Sequence, residues 1–196
     1  MAIFGRGEKG GDTPLDKLRR NEAKDSGEQK LLIRQVFNDP DVKAKDVQWT
    51  LCASRSELRS LGIQVINRIG SVDWGKVIQA ELKDKSEAEQ NNLMRTAAEL
   101  DGEVICVLVE ALLGAQDVRR KRKGIYLLRH AALPKVKTLV SRLVKEGEGE
   151  AQVAAIGRLV DDPAALKSAG LAGDALATMA AHRDDNIRRA AYTVLS

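Results

Sequence analysis

Aromatic side chains are scarce in this chain: two Trp, two Tyr and two Phe among 196 residues, or 3%. With Leu, Ala, Val and Ile supplying the apolar mass instead, the balance favours packed helices over sheets. There are only two cysteines. Cys52 and Cys106 lie in apolar blocks with no CxxC spacing, which argues against a disulfide or metal framework and reads as two reduced core thiols. His130 and His182 are the only histidines. No carboxylate stands at metal-ligand spacing around either, so both read as structural or surface residues and no metal site is expected. The N-terminus has no hydrophobic signal core, no apolar run approaches ~18 residues, and Met1-Ala2 excludes N-myristoylation. A cytoplasmic protein without membrane contact is expected. No Ser-His-Asp set, phosphate-cradling glycine loop or nucleotide fingerprint occurs, and Gly5, Gly7 and Gly10 precede no strand-then-helix unit. The chain reads as a non-enzyme with no cofactor.

Hydrophobic residues make up 43% and charged residues 31%, a soluble globular balance with enough length for a real core. The net charge of +4 is unevenly spread. Residues 101–147 hold ten Lys/Arg against five Asp/Glu, while the remainder is close to neutral and the last 49 residues are net acidic. A local basic patch is indicated, not a wholly basic nucleic-acid binder.

Residues 1–12, glycine-rich and charged, read as a flexible arm in which Ile3 and Phe4 are the only anchor candidates. Residues 13–40 read as N-terminal helices. Thr13-Pro14 opens a marginal one running to about Lys24, with Leu15 and Leu18 as its apolar face. A second spans about Glu28 to Phe37. From Asp41 helix-length apolar blocks alternate with short breaks, their starts marked by Asp39 or Asp41, Ser54 or Ser56, Ser71, Ser86, Asp101, Asp117 and Asp184.

Those blocks repeat. Val47, Ile78, Val109 and Val140 are each 31 apart, as are Leu51, Leu82, Leu113 and Val144; Trp74, Ile105 and Val136 form a third column. In the following helix of each pair, Ile63, Met94, Ile125 and Ile156 keep the same spacing, as do Ile66, Ala97, Leu128 and Leu159. Gly62, Leu93, Gly124 and Ala155 make a mostly small column beside them. A last pair fits at an offset of 35, with Ala175 and Met179 in its first helix, Ala191 and Val194 in its second, and the added residues in the linker Asp161 to Gly170. Each two-helix unit has an apolar face it cannot bury alone, and stacking buries those faces in one continuous core. The expected fold is all-α: a right-handed α-solenoid of about five antiparallel helix pairs over residues 41–196.

Second helices opening on Asp with a basic-and-small run, Asp117-Val118-Arg119 with Ile125 and Leu128, and Asp185-Asn186-Ile187-Arg188-Arg189-Ala190-Ala191 with Val194-Leu195, resemble HEAT or armadillo-like repeats. The short period resembles the bacterial variety. The units at 55–69 and 86–100 depart from this, with Ser-Arg-Ser and Ser-Glu-Ala-Glu at their starts. The resemblance implies the fold and a binding role of scaffold or adaptor type, with second helices lining a concave surface.

On that surface the basic run Arg119 to Lys123 spreads around its helix. With Gly124, Ile125 and Leu128 facing the core, Arg122, Tyr126 and Arg129 share an exposed strip. Arg95 occupies Tyr126's column one unit earlier, with Arg68 and His130 nearby. Arg95, Arg119, Arg122, Lys123, Tyr126, Arg129 and His130 are therefore the candidate partner-binding residues, suited to an acidic segment of another protein. A nucleic-acid protein resembling the alkyl-purine DNA glycosylases is the alternative, but it needs an acid amid aromatics in the groove, and none is visible. Trp74 belongs to a core column; Trp49 shares a column with Ala80, Ala111 and Arg142, half-exposed near the first groove. The paired acids Asp161-Asp162 and Asp184-Asp185 read as helix-end charges that favour the N-terminal dipole. At the end of the chain, the absence of a polar cap after Val194-Leu195 implies either self-association there or a longer natural protein.

Overall fold

A computed structural model describes residues 12–195 apart from 72, 83–84, 148, 160–163, 165–172 and 184. All of the arm but residue 12, and all of the Asp161 to Gly170 linker but residue 164, lie outside the described residues, as does the side chain of Ala175. Every described element is helical.

The N-terminal helices are α1 (Pro14–Arg20) and α2 (Ser26–Asn38). A capping box between Thr13 and Asp16 opens α1, as the Thr13-Pro14 pair anticipated. The helix stops at Arg20, short of Lys24, because Asn21 turns into the left-handed region at φ 58° and returns its N–H to the Leu18 and Lys17 carbonyls. Leu18 is buried with Leu32 and Val36 of α2 against Leu58, Leu61 and Val65 of the fourth helix, forming a small core of their own.

The first unit departs from a single opening helix. A four-residue α3 (Ala44–Val47) runs straight into a 3-10 turn, Gln48–Cys52. Thr50 donates its hydroxyl to the Val47 carbonyl at 2.6 Å, a bond made from a buried position that favours the tighter winding. Neither Asp39 nor Asp41 caps this unit. The Lys43 N–H instead donates to the Asp46 carboxylate at 2.9 Å, three residues inside the turn. The partner helix α4 (Ser56–Ile69) follows and ends on Gly70 at φ 68°.

The remaining units are α5 (Asp73–Glu81) with α6 (Glu87–Ala97), α7 (Gly102–Leu113) with α8 (Val118–His130), α9 (Leu133–Glu146) with α10 (Gly149–Arg158), and α11 (Gly173–Ala180) with α12 (Asp185–Leu195). In one layer α5 packs on α7 and α7 on α9. In the other, α4, α6, α8, α10 and α12 touch in succession. Within units, the 3-10 turn packs on α4, α7 on α8, α9 on α10 and α11 on α12. This is an all-α solenoid of stacked helix pairs, with its core between the two layers.

The periodic columns build that core, except that Val47 joins the smaller N-terminal core. Val47, Ile78, Val109 and Val140 are each 0% exposed, and Ile63, Met94, Ile125 and Ile156 are buried in turn. Leu113, Trp74 and Val194 are only partly buried against it. The small column marks where paired helices cross. A Cβ at Gly124 would stand 3.1 Å from Leu112 Cβ and Leu113 Cδ2, and Gly62 meets Thr50 and Leu51 in the same register. Within one layer, Gly75 of α5 crosses close against the backbone of α7, where a Cβ would stand 2.7 Å from the Val104 carbonyl oxygen.

Polar side chains finish the unit boundaries. The Gln90 amide donates to the carbonyls of Leu82 (2.9 Å) and Lys85 (2.8 Å), and Gln152, two repeats later, donates to Val144 O at 3.0 Å. Arg59 holds the same position one repeat before Gln90 and reaches Ala53 O and Ser54 O, both at 2.7 Å. Between units, the Asn67 side chain donates to Glu99 O (3.1 Å) and accepts from the Asp101 N–H (2.9 Å). Lys135 approaches the same turn from the other side, bonding Glu99 O at 2.9 Å and the Asp101 carboxylate at 2.5 Å. Asp101 is thus spent on Lys135 rather than on capping α7, where its side chain makes no cap bond.

Candidate functional site

Helix α8 supplies the charge of the second-helix face. Asp117 opens it by accepting the Arg119 N–H at 2.9 Å, and Gly124, Ile125, Leu127 and Leu128 turn inward. Leu127, which belongs to none of the apolar columns, is 0% exposed. Its repeat position is held by Val65, Thr96 and Arg158 in other units, a mixture that hides an inward-facing column. With that face fixed, Arg122, Tyr126 and Arg129 are left outside, all exposed. Arg120 leans back toward Asp117, 3.8 Å from its carboxylate.

Two grooves meet along this strip. One, of about 510 Å³, runs between α6 and α8 and is lined by Arg95, Arg119, Arg122, Lys123 and Tyr126, with Met94 and Asn91 beside them and, among the described residues, Glu87 as its one acid. The other, of about 950 Å³, lies over α8, α10 and α12. Arg122, Tyr126 and Arg129 stand on its α8 side; among the described residues, Arg158, His182, Arg183 and a single acid, Glu150, stand opposite. Arg122 and Tyr126 belong to both. The Tyr126 ring lies 4.2 Å from that of His130, tilted by 40°, so His130 sits behind the strip and steadies its aromatic residue.

All seven candidate residues therefore fall on one face, six of them lining a groove and His130 supporting Tyr126 from outside. Among the described residues, the side chains of Arg95, Arg119, Arg122, Lys123 and Arg129 enter no ion pair. A rim of guanidinium groups with so few acids leaves positive potential over a partly apolar floor.

Two nearby arginines serve the scaffold instead. Arg68 donates to the carbonyls of Phe37 and Val42 (2.9 Å to the latter) and lies 5.8 Å from the Phe37 ring centroid. Arg158 forks onto Arg129 O and Ala131 O, both at 2.7 Å, satisfying the orphaned carbonyls at the end of α8. Trp49 packs on the N-terminal core with its indole nitrogen buried, and Trp74 rests on the main core beside Arg68 and Ile69. Cys52 and Cys106 are partly buried, and burial pushes both thiols up from their ordinary range. No group of His, Cys, Asp and Glu suited to a metal ion occurs among the described residues. Nor is any described helix long and apolar enough to cross a membrane.

No protein-family model matches the chain. No curated protein matches it either. Among the solved structures that resemble it are three at 16% identity. An engineered protein from a structural genomics consortium covers 93% of this chain and 94% of its own at a TM-score of 0.36. A designed armadillo repeat protein covers 94% and 98% at 0.37. A further designed armadillo repeat protein, in complex with the peptide (KR)4, covers 94% and 98% at 0.35. These scores describe a general likeness, and the solenoid architecture stands on the helix contacts of the chain itself.

Proposed function

We propose that this protein is a non-enzymatic binding module, a scaffold or adaptor that holds an acidic segment of another protein across its second helices, over residues 95–130. The observation that carries the reading is the unpaired cationic rim. Arg95, Arg119, Arg122 and Lys123 surround one trough that, among the described residues, holds a single carboxylate, Glu87, and Arg122 and Arg129 continue the rim into the next groove. Carboxylates match the planar guanidinium fork, and Tyr126 adds a rigid aromatic contact at low entropic cost. A nucleic-acid backbone fits less well. Stacking surfaces are few, Tyr126 being the one aromatic ring among the residues lining either groove apart from His182, and the final 49 residues are net acidic.

Fluorescence anisotropy with a labelled oligo-glutamate peptide tests the proposal, with duplex DNA as the competing ligand. The peptide should bind the wild-type chain, and the Arg122→Glu/Arg129→Glu variant should lose at least tenfold in affinity with an unchanged circular dichroism spectrum. Undiminished peptide binding by the variant would refute the placement. Tight duplex binding that collapses steeply with added salt would transfer the groove to nucleic acid.

A further inference from the structure

The second-helix ridge is interrupted at one place. Gln64, Arg95, Tyr126 and Gly157 occupy a single repeat position, each 31 residues after the last, and all four are exposed. At the longer offset of 35 the next member is Tyr192, which is 62% exposed; Tyr126 is 40% exposed. The chain's two tyrosines thus hold the ridge position on α8 and α12, and α10 between them holds a glycine. Nothing in the packing demands that glycine. A Cβ at Gly157 would meet only Ile187 Cδ1, at 3.9 Å, which is ordinary contact, and the backbone there is not left-handed. A helix glycine with room for a side chain weakens the helix and leaves open space above the backbone.

That open space belongs to the 950 Å³ groove. Around Gly157 its floor is apolar. Val153 lies one turn earlier on the same face, Ile125 lines the groove from α8 and Ile187 from α12, and these three are 8%, 9% and 5% exposed. Among the described residues, the rim above carries Arg122, Arg129 and Arg183, all exposed, against one acid, Glu150.

Resting on the acidic-segment reading above, we infer that the notch over Gly157 is its specificity pocket. It receives one aliphatic side chain of the partner segment, beside the Tyr126 ring, while carboxylates flanking that side chain engage Arg122, Arg129 and Arg183. The preferred ligand is an acidic stretch interrupted by a single Leu- or Ile-type residue rather than an unbroken acidic run. Burying one such side chain strengthens binding roughly tenfold or more over a serine at that place.

Two labelled peptides separate these ideas: an acidic nonapeptide with leucine at its centre, and the same peptide with serine there. Anisotropy titrations would use the full chain, Gly157→Leu, Gly157→Ala and Arg122→Glu/Arg129→Glu, with thermal unfolding as a folding check. Wild type should favour the leucine peptide about tenfold. Gly157→Leu should erase that preference, and Gly157→Ala reduce it while raising the unfolding midpoint, whereas Arg122→Glu/Arg129→Glu should weaken both peptides alike. Equal affinity of wild type for both peptides, or a preference that survives Gly157→Leu, would overturn the notch while leaving the charged rim in place. Binding of neither peptide by the wild-type chain would overturn both proposals.

Discussion

A single added methyl at Gly75 should unfasten the middle of the stack. A Cβ there would lie 2.7 Å from the Val104 carbonyl oxygen, 2.8 Å from the Leu108 nitrogen and 2.8 Å from Val107 Cβ. Comfortable contacts of this kind sit near about 3.5 Å, so α5 and α7 would have to separate by ~0.7 Å. Two of the three obstacles are backbone atoms, which no rotamer change can move. The separation would open the layer around Ile78, Ile105 and Leu108, each 0% exposed. A gap of this size forfeits about a quarter to a half of each dispersion contact across it. Overpacking of this type costs about 1–3 kcal/mol, against at most about 1 kcal/mol gained from alanine's helix propensity. Gly75→Ala is therefore expected to lose about 1–2 kcal/mol, lowering the thermal midpoint by about 2–8 °C in a chain of this length. Gly75→Val should lose more. Urea and thermal unfolding followed by far-UV circular dichroism would measure both. Gly157→Ala, where the methyl has room, is the matched control and should unfold later than wild type. A Gly75→Ala midpoint at or above wild type, with the control behaving as stated, would refute the close-crossing argument.

Arg158→Met should expose the end of α8, since two 2.7 Å charge-assisted bonds to Arg129 O and Ala131 O vanish. A loss of about 2–3 kcal/mol is expected, with faster amide exchange in the last turn of α8, and Arg158→Lys should restore only part because an ammonium cannot fork. The Asp16 and Glu89 carboxyls are held below the usual range, chiefly by hydrogen bonds from the Thr13 and Ser86 hydroxyls. Because the folded state prefers these groups ionised, their contribution is complete above the ordinary carboxylate range and fades as pH falls through the depressed folded values. The acid-side slope of the urea midpoint should be shallower in Thr13→Ala/Ser86→Ala; an identical slope would remove the capping boxes from the account. With both thiols raised by burial, Cys52 and Cys106 should alkylate more slowly at mildly alkaline pH than a free cysteine, and fast labelling of the folded chain would contradict their packing.

The columns Val47/Ile78/Val109/Val140 and Ile63/Met94/Ile125/Ile156 were legible in the sequence because burial at helical spacing repeats with the unit, and translation by 31 residues superimposes one on the next. The strip Arg122, Tyr126, Arg129 was legible for the complementary reason: once Gly124, Ile125 and Leu128 are turned inward, those three have nowhere else to point. The clamps were not. Asn67 meets Glu99 and Asp101, and Arg158 meets Arg129 and Ala131, across distances in sequence where no periodicity announces a partner. The 3-10 winding of Gln48–Cys52 was hidden as well, since Val47 and Leu51 keep the apolar register whether the turn is tight or regular. The groove's depth depends on the side chain that Gly157 does not have, and only the positions of α8, α10 and α12 around it turn that lack into a cavity.

The turn at 98–101 is gripped twice, by Asn67 of α4 from one direction and by Lys135 of α9 from the other. Repeat arrays lengthen and shorten by duplicating or dropping whole units, which requires each junction to be interchangeable with its neighbours. This junction is not interchangeable. Removing the unit α5–α6, or inserting a copy beside it, would carry the turn out of reach of one of its two holders, so the register from 67 to 135 is fixed as a block. Viable changes in repeat number should accumulate outside that block, and a recombinant shortened within it should keep its helices while losing the fixed pitch between them.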